Sequence, residues 1–245
     1  MTTSAIDSWR RHLNPIQAVS SKPPEWVLPG LLVPGMVLLA GDPKTYKSFL
    51  ALTMTAALTA GRSCAAARIK APAKQGTCLY FAAEQSPASV RHIYETRVLK
   101  QRLPAAKNWD FALVKNPWDW QIDEPQGELQ IEELIGDLRP TLTVLDPLVY
   151  FHSIEENDPA LVRPLVPLRQ AVAAYGGTLL VVHHARKLSA NASAAAEGFS
   201  RVRGTSALWA MADGGIMLTR NKGGTINITT DFKDYTGSTW TWRPG

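Results

Sequence analysis

The chain has 245 residues, with 26 Lys+Arg against 21 Asp+Glu and a formal charge of +5. An apolar share of 45% and a charged share of 19% are globular values and exclude a disordered chain; the length suits one large α/β domain or two small ones. No apolar run reaches the ~18 residues needed to cross a bilayer, and two cysteines, Cys64 and Cys78, exclude a disulfide framework and a cysteine zinc site.

Residues 1–28 are polar and Pro-rich, carry Asp7, Arg10, Arg11 and His12, and read as an N-terminal arm without a secretory apolar stretch. The expectation is a soluble, cytoplasmic protein of bacterial or phage type. Residues 36–40 (MVLLA) lie between Gly35 and Gly41 and predict a buried strand. A helix follows over 48–60, closed by Gly61, and then a loop over 62–76. A second buried strand is predicted over 78–82 (CLYFA), a helix over 87–102, and a short strand over 111–114. Residues 127–138 form an acidic amphipathic helix, 141–145 (TLTVL) a strand, 159–175 a helix and 178–182 (TLLVV) another strand. Residues 188–200 are rich in Ala, Ser, Asn and Gly and read as a mobile loop. A short helix over 205–212 precedes three alternating stretches, 215–219, 225–230 and 239–242, which read as edge or hairpin strands. Apolar strands alternating with helices predict a mostly parallel sheet covered on both faces, with an antiparallel-looking tail at one edge.

Charge is unevenly spread. Residues 1–100 hold 12 basic and 5 acidic groups, residues 101–160 hold 4 and 12, and residues 161–245 hold 10 and 4. Basic surfaces attract polyanions such as nucleic acid, and they also simply solvate a face; charge alone leaves both open.

Gly41-Asp42-Pro43-Lys44-Thr45-Tyr46-Lys47-Ser48 joins the first strand to the first helix. It fits the phosphate-loop pattern G-x-x-x-x-G-K-[ST] at Gly41, Lys47 and Ser48, and departs from it at Tyr46. Backbone N–H groups at a helix start wrap an anion, Lys47 would bridge the β- and γ-phosphates, and Ser48 would ligate Mg²⁺. The nucleotide-binding stretch is thus Gly41 to Ser48, with Phe49 beside it. Glycine is favoured at position 46 because the backbone approaches phosphate in a conformation costly for a β-carbon, so Tyr46 implies strain or a modified loop. Lys44 adds a second cation.

A phosphate-loop enzyme needs an acid at the end of an apolar strand. Asp146 ends the run 141–145 in that way and is expected to hold Mg²⁺. Glu84 follows the strand 78–82 and would reach the same sheet edge, where it could orient water or serve as a helix cap or first-turn acid; the residues leave both open. His183 and His184 end the strand 178–182. Adjacent strand residues point to opposite faces, so at most one reaches a nucleotide. Trp209 reads as core. Trp240 and Trp242 share one strand face and suit packing better than base stacking.

Four segments, GDPKTYKS at 41–48, LYFAAEQS at 79–86, LTVLDPL at 142–148 and VVHHARK at 181–187, resemble the RepA-type hexameric replicative helicases and the wider RecA-like ATPases. A fifth, RGTSAL at 203–208, resembles the element after the mobile loop of that family. The resemblance implies a RecA-like P-loop NTPase fold over residues 29–245, with ATP and Mg²⁺ as ligands. Within it Lys47 and Ser48 match the phosphate and metal ligands, Glu84 the catalytic glutamate, Asp146 the metal-holding aspartate and His184 the γ-phosphate sensor. Arg203, with Arg201 as competitor, matches the arginine finger that acts on a neighbouring subunit's nucleotide. The implied partners are further copies of the chain in a hexameric ring and single-stranded DNA, which would meet the stretch from Arg186 to Ser200; no membrane is involved. The implied activity is ATP-driven motor action on DNA, replicative-helicase-like. The alternative is an oligomeric ATP-dependent switch or assembly ATPase without unwinding. A small-molecule phosphotransferase is weaker, since no Arg-rich lid or acceptor pocket is evident.

Overall fold

A strand buried on both faces has no polar positions to alternate with, and β1 (Gly35–Gly41, GMVLLAG) is such a strand, buried at all seven residues. In the computed structural model of the protein, which describes residues 13–18, 20–185, 199, 202, 206–221 and 223–244, β1 lies within an eight-stranded sheet. The other strands are β2 (Cys78–Ala82), β3 (Phe111–Leu113), β4 (Leu142–Asp146), β5 (Thr178–His184), β6 (Gly214–Arg220), β7 (Ile226–Phe232) and β8 (Thr239–Trp242). Their order is β3-β2-β4-β5-β1-β6-β7-β8. All neighbours from β3 to β6 are parallel, and β7 and β8 add on antiparallel.

Strand alternation divides the core into two layers. Val37, Leu39, Tyr80, Val144 and Val182 face one side, and Leu38, Phe81, Leu145 and Val181 the other. The first side is covered by α1 (Lys47–Ala60), by α2 (Pro87–Ile93) and by residues 27–33. Helix α1 is buried nearly all round, so it shows no polar stripe; Thr53 and Thr59 satisfy their hydroxyls on the carbonyls of Phe49 and Thr55. The second side is covered by α3 (Pro125–Leu138), α4 (Leu165–Ala173) and α5 (Ser206–Met211).

Three predicted elements change on folding. The helix expected over 87–102 stops at Ile93, passes through a π turn at Tyr94–Val98 and ends in a 3₁₀ turn at Leu99–Gln101. The helix expected over 159–175 splits into a 3₁₀ turn at Pro159–Val162 and α4, because Pro164 lacks the N–H that would join them. The tail strand β6 runs parallel beside β1, so the antiparallel extension begins one strand later than the alternation suggests. Its connection from β5 is a long crossover containing α5, which returns the chain in the same direction.

At the sheet edge away from the strand C-termini, Asp213 ties three elements together. Its Oδ2 accepts Met36 N–H at 2.8 Å and Arg169 Nε at 2.7 Å. Burial raises the Asp213 carboxyl, but the Arg169 and Met36 hydrogen bonds outweigh it and leave the group below the ordinary carboxylate range. Gly35 is required here: a β-carbon would lie 2.1 Å from Asp213 Oδ2. Among the described residues no helix is long and apolar enough to cross a membrane.

Candidate functional site

Parallel strands deliver their C-terminal ends to one edge, and the register shows which ends meet there. Gly41 pairs with His184, and Ala82 pairs with Asp146. Backbone bonds carry the tie past the strands: Ala185 N–H donates to Gly41 O at 3.1 Å, and Ala83 N–H to Asp146 O at 2.9 Å. The loop after β1, the turn bearing Glu84, the end of β4 and the end of β5 therefore surround one cleft of about 530 Å³.

The loop is closed by its own side chains. Thr45 Oγ1 donates to Asp42 O at 2.7 Å, and Lys47 Nζ donates to the carbonyls of Gly41 and Asp42 at 3.0 and 3.1 Å. Gly41 is held to glycine by crowding, since a β-carbon would sit 2.7 Å from Leu218 O and from Thr45 Oγ1. Tyr46 caps α1 in the left-handed region with φ 67° and ψ 31°, the conformation a glycine would supply, and Lys44 is left-handed too, with φ 62°. The modified loop therefore keeps the backbone path and places a ring on it.

Lys47 is buried, and burial lowers its ammonium from the ordinary lysine range against the opposing charges of Asp146, Glu84 and Asp42. Asp146 is buried at the end of β4. Burial pushes its carboxyl up; hydrogen bonds from the Tyr80 and Ser48 hydroxyls pull it down, Glu84 adds to the rise and Lys47 opposes it. Tyr80 Oη donates to Asp146 Oδ2 at 2.5 Å. Burial, followed by the Asp146 charge, raises the Tyr80 phenol well above its ordinary value, so it stays a donor. A hydroxyl and a carboxylate side by side, Ser48 and Asp146, are the hard oxygen donors that a magnesium ion accepts.

Glu84 is exposed in the turn after β2 and lines the cleft. It does not cap α2: Ser86 does, its Oγ accepting Ser89 N–H at 3.2 Å. That removes the helix-cap alternative. His184 lines the cleft on the same strand face as Val182, whereas His183 is wholly buried on the other face. Phe49 also lines the cleft, but its ring is 5% exposed and stacks on Trp242, with centroids 5.6 Å apart at 22°. Trp242 is buried, Trp240 packs partly buried against the same layer, and Trp209 stacks on Phe199 at 4.2 Å. Arg203, Arg201, Arg186, Lys187 and, apart from Phe199, the expected loop over 188–200 lie outside the described residues.

Sequence reasoning missed Tyr80, Arg97 and Arg220. Tyr80 was legible: a phenol in the middle of an apolar strand needs a partner, and strand alternation puts it on the face of Ala82, the residue paired with Asp146. Arg97 and Arg220 line the cleft from a π turn and from the end of a tail strand, and neither position carries a motif.

No curated protein matches the chain at a significant level. A family model described as an AAA domain matches residues 5–190, well over half of its length. The match covers the phosphate loop, Glu84, Asp146 and His184, which the fold gathers at one sheet edge. With that much of the chain matched and its phosphate loop built, this protein belongs to the AAA-domain family of P-loop ATPases.

Proposed function

We propose that the chain is a RecA-like motor subunit that hydrolyses ATP and acts on DNA as replicative helicases do. The observation that carries the ATP site is the meeting of Lys47, Ser48, Glu84, Asp146 and His184 around a single cleft. In this reading, a water oriented by Glu84 attacks the γ-phosphorus in line. The bond from that phosphorus to the β,γ-bridging oxygen breaks, ADP carries away the electron pair, and the proton of the water passes toward Glu84. Lys47 neutralises charge on the phosphates. Ser48 and Asp146 would hold a magnesium ion, which when bound would supply charge stabilisation at the phosphate oxygens. His184 reports the γ-phosphate from the end of β5. Arg203 of a neighbouring copy supplies the remaining charge, which makes a multimer, a hexameric ring by resemblance, the active form.

The test is ATP turnover with and without single-stranded DNA, in wild type and Lys47→Ala. Turnover lost in the variant, and salt-sensitive stimulation by DNA in the wild type, support the motor. Unchanged turnover in Lys47→Ala refutes the site. Turnover without DNA stimulation refutes the motor and leaves an assembly ATPase or switch.

A further inference from the structure

A tyrosine in the left-handed region carries a steric cost that glycine does not. Tyr46 is in that region at φ 67°, so its ring must return something. Apolar filling accounts for part of it, since the ring packs partly buried against the core. Phe49 and Trp242 already stack on each other, and Tyr46 meets both only edge-on, with centroids 6.5 Å away, while remaining half-buried on the cleft wall. What distinguishes its surroundings is charge. The guanidinium carbons of Arg97 and Arg220 each lie 5.6 Å from the Tyr46 ring centroid, within cation–π range.

These arginines come from elements far apart in sequence. Arg97 sits in the π turn Tyr94–Val98 and also lies 4.5 Å from the Phe49 centroid. The extra residue of a π turn rotates the side chains that follow it about the helix axis, and such turns recur at functional sites. Arg220 ends β6 and donates from Nη2 to the carbonyl of Lys44, within the phosphate loop itself. Arg97, Arg220, Lys44 and Lys47 all line the cleft, against the carboxylates Glu84 and Asp146. Four like charges gathered at one site repel each other, and their complement is a polyanion. The guanidinium fork suits phosphate oxygens in particular.

We propose that Arg97 and Arg220 bind the polyphosphate tail of the nucleotide in cis, and that Tyr46 is the positioning residue that gathers both guanidiniums at the mouth of the loop. This rests on the cleft being a nucleotide site. The ring stands where glycine is usual and adds one contact shared by both cations to the separate anchors they already have, Phe49 for Arg97 and the Lys44 carbonyl for Arg220.

The two accounts of Tyr46 predict different outcomes. If the ring were only a strained substitution, Tyr46→Gly would relieve the free and the bound loop alike, raising stability and leaving ATP affinity unchanged. If it positions the arginines, Tyr46→Gly weakens ATP binding by roughly tenfold, the effect of losing two modest cation–π contacts. Tyr46→Phe keeps the ring and binds as wild type does, and Tyr46→Leu keeps the bulk and does not rescue. Arg97→Gln and Arg220→Gln each weaken binding. Titration calorimetry of the full chain with ATP, and with inorganic tripolyphosphate, reads all of these. Equal or tighter binding by Tyr46→Gly overturns the proposal. Should that variant fail to fold, unchanged affinity in both arginine variants overturns it instead. A loss seen with ATP but not with tripolyphosphate overturns the assignment to the tail. Wild type that binds neither probe sinks the nucleotide site itself, whereas wild type that binds both, beside an indifferent Tyr46→Gly, sinks only this inference.

Discussion

Tyr80→Phe deletes one oxygen atom and removes the hydrogen bond that most favours the ionised form of Asp146. The bond is short, 2.5 Å, and links a buried phenol to a buried carboxylate. Charge-assisted hydrogen bonds of this kind contribute about 1.5–3 kcal/mol. That loss falls on the carboxylate and spares the protonated acid, so the proton is retained to higher pH. The acidic limb of the turnover profile should therefore move upward. On that limb, turnover should fall by roughly ten- to a hundredfold, the factor that corresponds to such an energy. At alkaline pH, where Asp146 ionises regardless, turnover should approach that of the wild type. Half-saturation by Mg²⁺ should also shift to higher concentration near neutrality, since the proton competes for the same oxygens. The assay is steady-state phosphate release across pH at limiting and saturating Mg²⁺, with a thermal melt to confirm folding. A folded variant whose pH profile and Mg²⁺ dependence both superimpose on those of wild type would falsify the role given to Asp146.

The two histidines should separate. His184→Ala should lower turnover by roughly ten- to a hundredfold with a near-normal melt, and His183→Ala should lower the melting temperature instead; the reverse pattern would invert the strand-face assignment. Gly41→Ala places a β-carbon against the Leu218 carbonyl, so nucleotide binding and stability should fall together, and a variant that binds ATP normally would show that the loop has room that the structure denies it. Asp213→Asn should cost about 1–3 kcal/mol at neutral pH by chemical denaturation, through loss of a partly buried charged hydrogen-bond set. Because the native Asp213 carboxyl lies below its ordinary range, its contribution is fully present above that range and is lost as pH falls through the native value; the variant should therefore lose less stability on acidification, and parallel acid curves for the two proteins would count against the clamp.

The central strands were legible because they are parallel and buried. Short apolar runs such as MVLLA and TLLVV, bounded by glycine or by a change to polar residues and too short for a helix, suit strands covered on both faces. Lys47, Ser48, Glu84, Asp146 and His184 could be nominated as candidates because each terminates or follows such a run. The arginine wall of the site, Arg97 and Arg220, was not legible. Arg97 reaches the cleft only because the helix after Glu84 loosens into a π turn, and no periodicity in residues 87–102 announces that change. Arg220 reaches it only because β6 docks parallel beside β1, a pairing set by a long crossover and not by local pattern. The left-handed Tyr46 was foreseen as a source of strain, but what its ring touches depends on partners about 50 and 170 residues away.

The placement of β5 between β1 and β4 restricts how news of hydrolysis can leave the cleft. A strand laced on both sides cannot slip by one residue without driving every buried side chain into the opposite core layer, where it does not fit, and the smallest slip that keeps its faces is two residues, about 6.6 Å. β5 is therefore a fixed rail. Under the sensor role proposed for His184, a signal to the chain beyond Ala185 would travel as a swivel of side chains or a bend at the end of the rail, not as a stroke along it.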